Sequence, residues 1–341
     1  MTMNTSMNAG VFARPGVLEI QEREVPRLQN PNDVLLEVEA TGVCGTDLHV
    51  LSDPPGHPAT EGAILGHEIV ARIAEVGREV TQFSVGQRVV VDPNLKCGLC
   101  RYCRRGLQNH CVNWTTIGIF RDGGFAKYVV VPQRALHPLP ESIPTEDAVW
   151  TELLSCVIGS TDRAAVQPGQ TALVIGAGPA GMLHALMFQA AGAKVFIADV
   201  SPFRLALAEK AGVETINVQE LNLKDTLMSA TDDWGADIAV DAVGTQVASA
   251  LDLVATGGTV SLFGMNAHAK QEISQNLVTR KELIVFGSFV GYHVFPRAID
   301  VLASGAIRPA QLTTHKVSVA DLPEGVAAAR RGEAMKVMVT P

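Results

Sequence analysis

The feature that most constrains the fold is an alternation of apolar runs and helical segments in the second half of the chain. It begins with TALVIG (171–176), PAGMLHALMFQAAG (179–192), KVFIADV (194–200) and PFRLALAEKAG (202–212). It continues through ADIAVDAVG (236–244), GGTVSLFG (257–264) and KELIVFGSF (281–289). Apolar strands separated by amphipathic helices predict an α/β fold with a parallel, doubly wound sheet.

The first 150 residues have a different sequence pattern. Short β-type runs, broken by Gly and Pro, occur at VLLEVEA (34–40), EIVARIAEV (68–76), QRVVV (87–91) and FAKYVVV (125–131). Such runs predict an irregular, mostly antiparallel, barrel-like domain. A chain of 341 residues is also longer than one hydrophobic core usually supports, so we expect two domains.

Composition narrows the class of protein. The chain has 27 basic and 35 acidic residues and a formal charge of −8, which argues against general binding to nucleic acid or to anionic membranes. The first ten residues lack the charged and apolar regions of a secretory signal, so we expect a cytoplasmic protein. Segment 172–193 is long enough to span a membrane, but a strand followed by a helix is the favoured interpretation.

A glycine-rich turn joins the first strand of the alternating region to its helix. Gly176-Ala177-Gly178-Pro179-Ala180-Gly181 matches GxGxxG, and it stands between an apolar strand and a helix opened by proline. The first glycine permits the tight turn, the second lets backbone N–H groups approach a pyrophosphate, and the third lets the helix pack on the sheet. The turn therefore predicts dinucleotide binding, although a packing turn without a ligand is the alternative.

An acidic residue follows at the end of the second strand. Asp199 lies eighteen residues after Gly181 and can accept hydrogen bonds from both ribose hydroxyls, whereas it would repel a 2′-phosphate. This position favours NAD over NADP. Arg204 either covers the adenine or is an exposed helix arginine.

Four cysteines lie within one short segment, with the spacing Cys97-x2-Cys100-x2-Cys103-x7-Cys111. In a reducing compartment such a cluster indicates a metal more often than disulfides. A zinc ion with four thiolates has no open position, so this zinc would be structural. An iron–sulfur cluster and two disulfides are the alternatives.

The other residues with metal-ligand chemistry are scattered. Cys44 lies in GVCGTDLH, His67 and Glu68 lie in LGHEIV, and Glu152 lies in WTELLSC. No spacing rule joins these segments, so the residues alone show only that ligands for a second, open zinc site are available.

Taken in order, CGTDLH, GHE, the four-cysteine segment and GAGPAG resemble the zinc-dependent medium-chain dehydrogenase/reductase family, in the alcohol dehydrogenase superfamily. The resemblance runs from about Val11 to Val339 and is strongest to the sorbitol or polyol dehydrogenase branch. It implies a GroES-like catalytic domain (1–155 and 290–341) that holds two zinc ions, with an inserted NAD-binding Rossmann domain (156–289).

The resemblance also implies ligands for the catalytic zinc. Cys44 and His67 correspond to family ligands, and Glu152 stands where the polyol branch has glutamate and the plain alcohol dehydrogenases have cysteine. In the polyol branch Glu68 can bind the metal directly, with Glu152 binding directly or through water, and we expect this set here. Cys156 is expected to be a buried spare thiol.

The same resemblance assigns the chemistry of a dehydrogenase. Zinc would lower the pKa of a bound alcohol, and NAD would accept the hydride. Thr46 would take the proton and His49 would pass it to solvent through the cofactor ribose. The predicted cofactor contacts also include Val243, Phe263 and Ser288.

Departures from the polyol pattern leave the substrate open. Val290 and Gly291 stand where sorbitol-type enzymes have an Arg-Tyr pair, and Leu153 replaces a proline. We expect a secondary alcohol, such as a polyol, sugar alcohol or sugar-derived alcohol. The alternatives are a threonine-type or simple alcohol dehydrogenase, and a non-catalytic zinc-stabilised binding protein. A homotetramer is expected, with KELIVFGSF adding its edge to a partner's sheet.

Overall fold

The computed structural model describes residues 5–341. The first four residues, on which the expectation of no secretory signal partly depends, lie outside the described residues. The chain forms two units, Met1–Leu153 with Phe295–Pro341, and Leu154–Val294. Between residues 5 and 341, no helix has the length and apolar character needed to cross a membrane.

The strands are short, as the sequence predicts. They are β1 Ser6–Arg14, β2 Val17–Glu24, β3 Asp33–Gly42, β4 Glu68–Val76, β5 Arg88–Val91, β6 Asn94–Leu95, β7 Thr115–Thr116, β8 Tyr128–Pro132, β9 Leu136–Pro138, β10 Thr171–Ile175, β11 Lys194–Asp199, β12 Glu214–Asn217, β13 Ala236–Asp241, β14 Val254–Leu262, β15 Ile284–Gly287, β16 His315–Ser318 and β17 Val337–Thr340.

The α-helices fall mainly in the second half of the chain. They are α1 Gly45–Val50, α2 Arg101–Arg104, α3 Thr145–Ala148, α4 Thr151–Ala164, α5 Pro179–Ala190, α6 Pro202–Lys210, α7 Leu223–Ala230, α8 Val247–Leu253, α9 Gln275–Arg280, α10 Phe295–Ser304 and α11 Leu322–Arg330. Single 3₁₀ turns lie at Gln108–His110, Gln133–Ala135 and Pro309–Leu312.

The first unit is built on a seven-stranded sheet with the order β16-β17-β3-β4-β5-β9, in which β8 also pairs with β3. Most residues of strand β3 are buried, and Val34, Leu36 and Val38 on one of its faces enter an apolar core. Strand β17 pairs antiparallel with β3, with Met338 opposite Gly42. The C-terminal strand β17 therefore belongs to the sheet of the first unit.

The second unit contains one six-stranded sheet with the order β12-β11-β10-β13-β14-β15, and every pair in it is parallel. This is the doubly wound order 3-2-1-4-5-6, whose direction reverses between β10 and β13. Side chains such as Leu173, Phe196 and Val260 fill the core between the sheet and its helices. The predicted α/β fold, a Rossmann-type sheet inserted into a mostly-β GroES-like domain, is confirmed.

The edges of the units differ from the ranges expected from the sequence. Residues 154–155 and 290–294 group with the parallel sheet rather than with the first unit. The reason is local packing, because the Gly291 N–H donates to Cys156 Sγ at 3.4 Å, and a Cβ on Gly291 would collide with the carbonyl of Ser155.

Candidate metal and cofactor sites

The four-cysteine segment folds into a compact group of thiols. The four Sγ atoms all lie within 4.8 Å of one another. Cys111 Sγ is 3.5 Å from Cys97 Sγ and 4.0 Å from Cys100 Sγ. Tetrahedral zinc with Zn–S bonds of about 2.3 Å requires sulfur atoms about 3.8 Å apart, so the group fits one ion. All six cysteines are free, so the structure does not contain the alternative pair of disulfides.

The thiols of this group differ in acidity. Backbone N–H groups of Leu99 and Cys100 donate to Cys97 Sγ and lower the pKa of that thiol to about 6. Burial raises the pKa of the Cys103 thiol to about 12. Backbone N–H groups of Cys103 and Val112 also lower the pKa of the Cys100 thiol. A bound dication would favour ionisation of the remaining thiols.

A second group surrounds the first turn of α1. Asp47 Oδ2 accepts the Cys44 N–H at 2.8 Å, and Asp47 Oδ1 lies 3.5 Å from His67 Nδ1. Cys44 Sγ lies 3.7 Å from Thr46 Oγ1. The fold therefore brings three of the predicted residues together around a buried carboxylate. Asp47 was not predicted, although its position three residues after the N-cap Cys44 is the spacing of a capping box.

Asp47 also affects the protonation of the His67 imidazole. Burial lowers the pKa of His67, but the charges of Asp47 and then of Cys44 outweigh it and raise this pKa well above 6.5. A carboxylate at Nδ1 orients a histidine so that Nε2 is available, which is the usual support for a metal-ligating imidazole.

Glu152 lies in the first turn of α4 and is buried. Burial raises the pKa of its carboxyl to about 7, the charge of His67 opposes this, and the charge of Glu68 adds to it. The Glu152 carboxyl therefore lies within electrostatic reach of two of the other three predicted ligands, His67 and Glu68.

Glu68 makes a different contact. Its carboxylate is paired with the ammonium of Lys336, whose Nζ lies 4.9 Å from the centre of the Trp150 ring. A Cβ on Gly42 would collide with Glu68, so the absence of a side chain there makes room for the pair. Lys336 was not predicted, since a lysine that precedes an apolar strand gives no sequence signal.

The residues predicted for the catalytic site lie farther apart than the four cysteines. His49 is exposed near the end of α1. Among residues 5–341, only the four cysteines of the thiol segment bring three or more ligand atoms within 4.8 Å of one another. Cys44, His67, Glu68 and Glu152 are spread more widely than those four sulfurs.

The glycine-rich turn of the second unit has the expected steric properties. Gly176 has φ +105°, and a Cβ on Gly181 would collide with the Gly176 carbonyl. Gly178 is the N-cap of α5, which begins at Pro179 and Ala180, and a Cβ on Gly178 would have 4.0 Å to its nearest neighbour. The turn therefore leaves the N-terminus of α5 open to a ligand.

Asp199 closes β11 beside this turn. Its Oδ2 accepts the Ala177 N–H at 2.7 Å and its Oδ1 accepts the Ser201 N–H at 2.8 Å. Arg204 Nη1 lies 3.8 Å from the same carboxylate. Both residues line a cavity of about 470 Å³ that Gly176 and Val243 also line.

The other predicted cofactor contacts follow the carboxyl ends of neighbouring strands. Val243 N–H donates to the Asp241 side chain beyond β13, and Phe263 N–H donates to the Asp241 carbonyl beyond β14. Ser288, beyond β15, donates its N–H to the Leu262 carbonyl. Ligands of doubly wound sheets bind outside the carboxyl ends of the strands, which is where these residues lie.

Two protein families match the chain. Residues 30–141 match the family described as alcohol dehydrogenase GroES-like domain, and residues 179–304 match the one described as zinc-binding dehydrogenase. Sorbitol dehydrogenase of Bacillus subtilis (strain 168) is 32% identical, over 100% of this chain and 99% of that protein. L-threonine 3-dehydrogenase of Chelativorans sp. (strain BNC1) is 35% identical, over 99% of each chain.

The solved structures include a zinc-binding dehydrogenase from Sinorhizobium meliloti 1021 bound to NADP. It superimposes with a TM-score of 0.94 at 30% identity, covering 99% of this chain and 100% of that chain.

Proposed function

The chain belongs to the zinc-dependent medium-chain dehydrogenase family, and we propose that within it this enzyme transfers a hydride between NAD(H) and a secondary alcohol or ketone. The observation that carries the proposal is the arrangement of Cys44 and His67 around the buried Asp47, with the carboxyl of Glu152 within electrostatic reach. It supplies three ligand types that an open zinc site uses.

We propose Cys44, His67 and Glu152 as the protein ligands of the catalytic zinc. Lys336 neutralises Glu68, which favours Glu152 over Glu68 as the third ligand. One thiolate, one carboxylate and one neutral imidazole balance the charge of the dication. Zinc held in this way would act as a Lewis acid and lower the pKa of an alcohol substrate.

The remaining residues would handle the proton and the orientation of the ligands. Asp47 Oδ1, which lies 3.5 Å from His67 Nδ1, would orient the His67 ring. Thr46, whose hydroxyl is next to Cys44 Sγ, would accept the substrate proton, and the exposed His49 would pass it to solvent.

For the cofactor we propose NAD(H), bound by the glycine-rich turn (Gly176, Gly178, Pro179, Ala180 and Gly181) and by Asp199. A buried carboxylate fixed by two backbone N–H groups would accept the ribose hydroxyls and repel a 2′-phosphate. The NADP-bound relative from Sinorhizobium meliloti makes cofactor preference the first property to measure.

The substrate that we propose is a polyol, sugar alcohol or sugar-derived alcohol. Similarity to a sorbitol dehydrogenase along the whole chain supports it. Threonine is the second candidate, supported by the similarity to an L-threonine 3-dehydrogenase.

The test combines metal content with turnover. Purified protein should contain two zinc ions per chain and should reduce NAD with at least one member of a panel of sorbitol, arabinitol, threonine and simple secondary alcohols. One zinc per chain in metal-replete protein, with no turnover on any substrate and no NADH binding, would instead indicate the non-catalytic, zinc-stabilised binding protein.

We further propose a cytoplasmic homotetramer. Six free thiols suit a reducing compartment. The edge strand β15 exposes 60% of Ile284 and 37% of Val285, which favours pairing with a second copy of the chain. Light scattering should give four chains per particle, and Ile284→Lys should reduce that number.

A further inference from the structure

A buried histidine in the second unit has no role in the function proposed above. His184 lies in the middle of α5, and its side chain is fully buried. Its Nδ1 lies 2.8 Å from the Ala180 carbonyl, and its Nε2 lies 3.0 Å from Ser160 Oγ. Ser160 Oγ is in turn 2.9 Å from Ser261 Oγ.

The chemistry of these groups sets the direction of each hydrogen bond. A carbonyl can only accept, so Nδ1 carries the hydrogen and donates it to Ala180. Nε2 then accepts from the Ser160 hydroxyl, and Ser160 accepts from Ser261. One neutral imidazole thus joins the first turn of α5, helix α4 and strand β14. Burial lowers the pKa of His184 to about 4, so this state persists at neutral pH.

The network ends beside a predicted cofactor contact. The rings of His184 and Phe263 make a T-shaped contact, with the ring centres 4.7 Å apart and an interplanar angle of 78°. Phe263 follows the carboxyl end of β14, two residues after Ser261. In the doubly wound order, β10 to β12 form the adenosine half, where Asp199 lies, and β13 to β15 form the nicotinamide half.

We propose that His184 is a positioning residue for the nicotinamide half of the cofactor site. Together with Ser160 and Ser261 it fixes the end of β14 and the ring of Phe263. This proposal rests on the proposed use of a nicotinamide cofactor.

The positioning proposal can be tested by calorimetric titration of the full, zinc-loaded chain with two ligands. NADH contains the nicotinamide ring, whereas ADP-ribose has the adenosine and pyrophosphate without it. His184→Leu and Ser261→Ala should weaken NADH binding by about tenfold, or about 1.4 kcal/mol, and should change ADP-ribose binding by less than about twofold. His184→Gln, whose amide can both donate and accept, should recover part of the NADH affinity. Met182→Leu, a buried substitution on the same helix, is the control and should change neither ligand.

The outcomes separate the two proposals. Equal weakening of both ligands would show a merely structural role, and unchanged NADH binding would show no role, so either result overturns the positioning proposal. If His184→Leu does not fold, Ser261→Ala decides by the same criterion. Failure of the unmodified protein to bind NADH would overturn the proposed function itself.

Discussion

The ammonium of Lys336 is paired with the carboxylate of Glu68, and these two side chains are 1% and 0% exposed. Two opposite charges are thus removed from water together, at the edge of the proposed zinc site. Such a pair is weak evidence for net stability, but removing one partner leaves a buried charge without compensation.

Replacement of this lysine should therefore be costly. We expect Lys336→Met to lower the free energy of unfolding by about 3–5 kcal/mol, measured by urea denaturation of the zinc-loaded protein. Lys316→Met is the matched control, because Lys316 pairs with Glu146 at the surface and its loss should cost about 0–1 kcal/mol. The double variant Glu68→Gln/Lys336→Met should recover much of the loss. If the double variant is no more stable than Lys336→Met, the unpaired charge of Glu68 is not the cause of the lost stability.

The sequence predicts the parts of this protein that depend on local spacing. The glycine-rich turn, the four cysteines and the alternation of strands and helices are each readable within a short window, and the structure contains all three. Asp47 is also local, but its functional meaning depends on His67, which reaches it from another element.

Contacts between distant segments could not be predicted. Glu68 and Lys336 are 268 positions apart, and Ser160 and Ser261 are 101 positions apart. His184 stands in an apolar helix where the sequence shows only an isolated polar residue. The proposed choice of Glu152 over Glu68 as a metal ligand rests on such a contact, because Lys336 pairs directly with Glu68.

Substitution of Asp199 should alter cofactor preference. We expect Asp199→Ser to reduce the ratio of kcat/KM for NAD to that for NADP by at least about tenfold. The substitution removes the charge that would repel a 2′-phosphate, and it leaves Arg204 close to where that phosphate would bind. Asp199→Asn is the control, because it removes the charge but retains an oxygen for one of the two backbone N–H groups. An unchanged ratio in both variants would show that Asp199 does not face the ribose.

Substitution of one cysteine in each proposed zinc site should have opposite effects. Cys44→Ser should abolish turnover while the unfolding temperature stays close to that of the unmodified protein, because it removes a ligand of the open site. Cys100→Ser should instead lower the unfolding temperature, because metal binding to the thiol segment contributes directly to folding. Turnover, differential scanning calorimetry and zinc content measure the three quantities. Indistinguishable behaviour of the two variants would contradict the division into a catalytic and a structural zinc.

The buried imidazole should also make stability depend on pH. The pKa of His184 is lowered from 6.5 to about 4, so between these values the unfolded chain binds a proton that the folded protein excludes. The contribution of the neutral His184 to the free energy of unfolding is therefore fully present above pH 6.5 and is lost as the pH decreases toward 4. A shift of this size corresponds to about 3 kcal/mol.

His184→Gln isolates this effect, because glutamine does not titrate. The unfolding free energy of the unmodified protein should fall by about 3 kcal/mol more than that of the variant between pH 7 and pH 4 in urea denaturation. Burial also lowers the pKa of His137, but that group is present in both proteins and cancels in the difference. Parallel pH profiles would mean that the folded protein admits a proton to His184 as readily as the unfolded chain does, which would contradict burial as the cause of the lowered pKa.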